Sequence, residues 1–174
     1  MITKNLRALL AAFANNSSTS NRSVKLKSED GTVCAGGAVP NNASDLGGVW
    51  VNTAASGSYA YSILRVGTGT TEPTADDYCL ESENTTLTLV SASASGGYNN
   101  GNLSEGNSAK TIVTTYVNNT TEAVTISEVG YFIEHADSYI ETIKESRNFL
   151  MAREVIDPVE IGVGETYTFT FVIQ

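Results

Sequence analysis

The chain has 174 residues, enough for one domain with a sizeable apolar core and no need of a disulfide or metal to fold. Nineteen acidic against ten basic residues give a formal net charge of -9, which sets nucleic acid aside as a partner. No apolar run reaches the length that crosses a bilayer, so no membrane partner is expected, and the abundance of Thr, Ser, Asn and Gly favours short strands joined by polar turns.

Residues 3–14 read as an amphipathic helix. Ile2, Leu6, Leu9, Leu10 and Phe13 recur at helical spacing, with Lys4, Asn5 and Arg7 off that stripe, and Asn15-Asn16-Ser17-Ser18 ends it. A helix this short is marginal alone, so its apolar stripe must pack on its own domain or on a partner. The stretch ending in Ala12-Phe13-Ala14 has the outline of an export signal, but its apolar core is short and broken by Arg7. Export is therefore not expected. Cys34 and Cys79 could form one disulfide in an oxidising compartment, and in a reducing one should stay free thiols. His135 is the single histidine and there is no short Cys-x-x-Cys pair, so no metal or other cofactor is expected.

Val24-Lys25-Leu26 and Thr32-Val33-Cys34 suit a hairpin about Asp30-Gly31. Residues 36–58 are mostly small and polar, with Trp50 between Val49 and Val51 as the main anchor. The plain reading of Trp50 is a packing plug, because one indole buries a large area. A sugar-stacking platform would want a second aromatic nearby. Residues 1–57 are thus expected to form a helix and an extended attachment arm, and residues 58–174 a β domain.

Periodicity is clearer from residue 61. Residues 61–66 and 84–90 read as strands, with a polar, glycine-rich connection over 91–107. Residues 111–117 and 123–129 should pair with each other about the turn at 118–122. Gly130 should mark a bulge or a close backbone approach. Residues 134–147 form a charged surface loop or short helix. Residues 149–156 resume the sheet, and Pro158 ends or offsets that strand. After Gly164-Glu165, residues 166–173 alternate cleanly, with Tyr167, Phe169, Phe171 and Ile173 on one face, so this strand should lie inside a sheet. The expected core is Ile63, Leu87, Leu89, Val124, Ile126, Tyr167, Phe169 and Phe171. The predicted fold is all-β, an antiparallel β-sandwich of Ig-like or jelly-roll type with a short N-terminal helix and arm.

The loop over 66–81 organises the chain. Gly67 and Gly69 let the backbone turn, Pro73 stiffens it, and Asp76 and Asp77 offer oxygens to nearby N–H groups. It is not a phosphate cradle of the P-loop type, which ends in Gly-Lys-Ser/Thr, because it holds no lysine or arginine. Asp76 and Asp77 are adjacent, so their side chains point apart, whereas a glycosidase needs two carboxylates facing across a cleft. Glu134, His135 and Asp137 read as a solvated loop. The chain is read as no enzyme, with no small-molecule substrate.

Residues 67–81, Gly-Thr-Gly-Thr-Thr-x-Pro-Thr-x-x-Asp-Tyr-x-Leu-Glu, are followed by Val117-Asn118-Asn119 and by Val124-Thr125-Ile126-Ser127-Glu128-Val129-Gly130-Tyr131-Phe132. Next come Leu150-Met151-Ala152-Arg153-Glu154 and Gly164-Glu165-Thr166 with a last strand. In this order, over residues 61–174, they resemble small virion proteins of tailed bacteriophages, although leucine is commoner where Tyr131 stands. The resemblance implies a non-enzymatic component of a phage particle, assembled in the bacterial cytoplasm. Its most direct form is an auxiliary or decoration protein, or a head-fibre base, docked on the capsid exterior by its N-terminal segment. Leu6, Leu9, Leu10, Phe13 and Trp50 are the candidate attachment residues. Capsid or tail subunits would be the partners, and a homo-oligomer, most simply a trimer, would offset weak single contacts. A second reading is a carbohydrate- or receptor-binding module of a tail or fibre, presenting Trp50, Tyr59, Tyr61 and Tyr98. A third is a secreted bacterial adhesin domain, in which Cys34 and Cys79 would be oxidised.

Overall fold

A computed structural model describes residues 1–14, 22–39, 61–95, 110–135 and 147–173. Helix α1 (Lys4–Ala14) is followed by β1 (Arg22–Lys27), β2 (Val33–Val39), β3 (Tyr61–Gly67), β4 (Thr88–Ser95), β5 (Lys110–Val117), β6 (Val124–His135), β7 (Arg147–Ile161) and β8 (Thr166–Ile173). All strand pairings are antiparallel, in a β1-β2 hairpin and two three-stranded sheets ordered β3-β6-β7 and β4-β5-β8. The all-β expectation holds at this level. Most of the expected arm, including Trp50, lies outside the described residues, as do most of the glycine-rich connection and residues 136–146.

Local chemistry sets the hairpin. Asp30 Oδ1 accepts from Ser28 Oγ at 2.6 Å and from the Thr32 N–H at 2.9 Å. Gly31 follows with φ 85°, a conformation that glycine adopts without a Cβ penalty.

The two larger sheets fill one apolar core, with Leu64 and Val66 from β3, Tyr131 and Ile133 from β6, Met151 from β7, and Ile112, Tyr116 and Phe169 from β5 and β8. Two polar bonds cross between the sheets. Tyr116 Oη donates to Leu64 O at 2.7 Å, and the Leu64 N–H donates to Thr114 Oγ1 at 3.3 Å.

Four sequence expectations are corrected here. The strands before and after residues 118–122 do not pair; β5 joins β4 and β8, while β6 joins β3 and β7. The connection is an arch held by Asn118, which is fully buried and donates from Nδ2 to Glu122 O and Ile161 O, both at 2.8 Å. Residues 84–87 are no strand, because Asn84 Oδ1 accepts from the Thr86 and Leu87 N–H groups at 3.0 and 3.1 Å and bends the chain. The strand instead runs through residues 88–95. β8 lies at a sheet edge rather than inside one. Near that sheet's end, Leu89 and Tyr167 are 45% and 40% exposed, unlike Leu87, Ile126 and Phe169, which are buried as expected.

Pro158 offsets β7 rather than ending it. Val155 pairs with Glu128 and Val159 with Ile126, so three residues of β7 oppose Ser127 alone. Proline has no N–H for the ladder, and it sits where the ladder is broken.

The N-terminal residues are built into this body. Ile2 bridges antiparallel to Ala152. The Arg153 N–H donates to Met1 O and the Thr3 N–H to Met151 O, both at 3.0 Å. Thr3 Oγ1 donates to Leu150 O at 2.8 Å, and Asn5 Nδ2 donates to Lys27 O at 2.7 Å. Leu6 is fully buried in the main core, and Ile2 and Leu26 pack against it. Leu6 is therefore not free to grip a neighbour, which corrects its expected role.

Candidate functional site

The loop over residues 68–82 lies on the face of the β3-β6-β7 sheet that is turned away from the main core. The irregularity of β6 after Ile126 puts Glu128, Gly130 and Phe132 on this face, while Val129, Tyr131 and Ile133 face the core. Leu80 comes down from the loop onto Phe132 and Leu150, making a second small buried cluster beside Ile63. Gly130 leaves the space for it. A Cβ there would lie 2.7 Å from Leu80 Cδ2 and 2.9 Å from both Leu150 Cδ1 and Phe132 Cε2. The expected close approach at Gly130 is thus observed.

Two charges organise the loop from beneath. Glu128 is fully buried and Arg153 is 3% exposed. Arg153 Nε donates to Glu128 Oε2 at 2.8 Å, Nη1 to Asp77 Oδ2 at 2.9 Å, and Nη2 to Glu81 Oε2 at 3.3 Å. Glu128 also accepts from the N–H groups of Gly69, Glu81 and Ser82 at 3.1, 3.1 and 2.8 Å. Glu81 Oε2 takes the Thr70 and Thr71 N–H groups at 2.9 and 2.8 Å, and its Oε1 takes Thr71 Oγ1 at 2.6 Å. Asp77 closes its own turn, accepting from Thr74 N–H at 3.0 Å and Thr74 Oγ1 at 2.7 Å.

These contacts answer the phosphate-cradle question in physical terms. A glycine-rich loop binds an anion through unpaired N–H groups. In this loop the N–H groups of Gly69, Thr70, Thr71, Glu81 and Ser82 already hold protein carboxylates.

Electrostatics follow the same bonds. Burial works to raise the Asp77 pKa, but hydrogen bonds from Thr74 and Arg153 outweigh it and hold the carboxyl below its ordinary value. Hydrogen bonding from Thr71 lowers that of Glu81. Desolvation pulls Arg153 down, and Glu128 and Asp77 together push it up, with a net rise. Burial, aided by Asp77, raises the Cys79 thiol, which is free.

Asp76 and Asp77 diverge as expected. Asp77 turns inward to Arg153, whereas exposed Asp76 pairs with Lys4. Of the expected attachment residues, Leu6 is internal. Leu9, Leu10 and Phe13 lie on α1 with side chains outside the description, and Trp50 lies outside the described residues. Tyr59 and Tyr98 also lie outside them, as do the side chains of Tyr61, Cys34, Glu134 and His135.

Sequence reading did not identify the Glu128–Arg153 pair. Its signal was one acid and one base set within two apolar strands, a placement that requires a partner. No protein-family profile, no characterised protein and no solved structure matches the chain.

Proposed function

We propose that the protein is a non-enzymatic structural component of a bacteriophage particle, an auxiliary or decoration protein docked on the capsid exterior through its N-terminal segment. The supporting observation is a convergence. Three stretches that carry the resemblance, 67–81, 124–132 and 150–154, come from distant parts of the chain and meet at Glu128 and Arg153. They serve one structural junction, in which the loop's amides are engaged by the protein itself. The two three-stranded sheets are read as the layers of a β-sandwich, Ig-like or jelly-roll. Their shared core and the Tyr116–Leu64 bond support that reading.

In this proposal attachment is made from within residues 1–57, of which residues 1–6 belong to the body, and the β domain is displayed in several copies per particle. Leu9, Leu10, Phe13 and Trp50 remain the contact candidates. The test is mass spectrometry of gradient-purified particles, with cryo-EM to locate the chain. Leu10→Asp should leave the purified protein folded and remove it from particles. If the wild-type chain is missing from particles, the proposal fails. If Leu10→Asp is incorporated normally, attachment lies elsewhere.

A further inference from the structure

Among the described residues, three of the four outer strands of the two larger sheets have blunted edges. Residues 1–3 cover β7, whose other end carries Asp157, Pro158, Glu160 and a broken register. β3 is bridged at its end by Glu83. β4 has a register break after Leu89. β8 has none of these devices. It pairs with β5 over all eight residues without a break, and its sequence TYTFTFVI contains no charge, proline or glycine. Among the described residues nothing pairs with its other edge. Open edges of this kind are normally protected by lysine, proline or a bulge, because a bare one templates another strand.

We propose that β8 is a self-association edge: two copies pair β8 with β8 antiparallel about a two-fold axis, joining their β4-β5-β8 sheets into one. A second copy is the occupant because the strand's own alternating sequence is self-complementary, and charge then limits where copies can meet. Each copy carries a net charge of -9, so like surfaces repel over most of the molecule. A contact between copies is best made through an uncharged strip, and β8 is one. Its outward residues Thr166, Thr168 and Thr170 are exposed, and Val172 is 47% exposed.

Symmetry points the same way. An antiparallel pair of identical strands is isologous, so each contact occurs twice. With the axis at Thr170, Phe169 meets Phe171 and Thr168 meets Val172 of the other copy. The threonine face and the aromatic face each continue across the junction. A groove of about 510 Å³ lies beside β8, lined by Met1, Ile2, Ala152, Val155, Phe171 and Val172, together with Pro73, Glu72 and Glu154. A strand added to β8 extends the sheet along this groove and itself carries no charge. One strand pair makes a small interface, so the association is reversible and concentration-dependent. It gives a pair rather than the trimer that the resemblance implies, and it holds whether or not the protein rides on a particle.

The test uses the purified full chain in solution. Light-scattering mass over a dilution series should rise toward a dimer for wild type. It should stay at the monomer for Thr170→Lys, which places two ammonium groups together at the axis. Thr125→Lys, at an exposed site on β6, should behave as wild type. Amide exchange on the wild-type protein gives an independent measure, in which protection of β8 should grow with concentration. A wild type that stays monomeric throughout overturns the proposal and leaves the edge to a strand of a different chain. An oligomer that survives in folded Thr170→Lys, or β8 exchange that ignores concentration, overturns it by placing the contact elsewhere.

Discussion

Glu128 Oε2 lies 2.8 Å from Arg153 Nε, and the pair is sealed from solvent beneath the 68–82 loop. The same arginine holds Met1 through its backbone and the loop through its guanidinium. Removing one member of a buried pair leaves an uncompensated charge, at about 3–5 kcal/mol. Arg153→Met should therefore lower stability by that order in urea unfolding. Arg153→Met combined with Glu128→Gln should lose less than the two single changes added together. A loss under about 1 kcal/mol for Arg153→Met would show that the loop is held by other contacts.

Gly130→Ala tests the close approach of Leu80. The added methyl meets three side chains at 2.7–2.9 Å. Overpacking of this kind typically costs about 1–3 kcal/mol. Leu80→Ala makes room, so the double variant should be more stable than additivity predicts. Thermal melts of the four proteins decide it, and strict additivity would count against the steric account.

Leu6→Ala should cost about 2–5 kcal/mol, the range for a fully buried leucine. Deleting residues 1–20 should be more damaging. It strips Leu6 from the core and the paired backbone from β7. The stability of the truncated protein, measured by calorimetry, should fall well below wild type. An unchanged melt would mean that the N-terminal segment is dispensable after all.

Stability should fall at both pH extremes for separate reasons. Asp77 and Glu81 have lowered pKa values in the fold, so the unfolded chain takes up protons first as pH falls. Their contribution is complete above the ordinary carboxylate range and is lost as pH drops through and below it. Asp77→Asn should flatten this acid limb. Tyr116 is pushed up to about 12, chiefly by burial, from an ordinary value of 10.0. Above pH 10 the unfolded chain loses that proton first, so stability drops with rising pH by roughly 2–3 kcal/mol at most. Tyr116→Phe should remove the alkaline limb while losing the bond to Leu64 O. Equal alkaline slopes in the two proteins would refute this assignment.

Where local pattern decides structure, the sequence was readable. The hairpin about Asp30-Gly31, the offset at Pro158 and the alternation of β8 follow from turn chemistry and period two. Pairing partners were not readable. The turn at 118–122 looks like a hairpin because β5 and β6 both alternate, yet buried Asn118 bonds across to Ile161 and sends β6 into the other sheet. Leu6 looked unpartnered because α1 packs on both β1 and β7, and β7 lies far along the chain. At the site, the glycines and aspartates of the loop pointed to a structural turn. Glu128 and Arg153 were visible only as motif letters, since nothing local ties residue 128 to residue 153.

The pairing of residues 1–3 with β7 has a kinetic consequence. Thr3 bonds to Leu150 and Met151 across 147 and 148 positions of sequence. During synthesis this segment leaves the ribosome long before its partner exists. Until residues 150–153 emerge, Leu6 has no complete core to enter. Contacts at such separation close late and slow the search for the native state. Once β7 has emerged, and until residues 1–3 close on it, its edge is open and able to recruit the corresponding segment of a neighbouring chain. Folding yield should therefore depend on how densely ribosomes load the message, with crowded transcripts giving more strand-exchanged product than sparse ones.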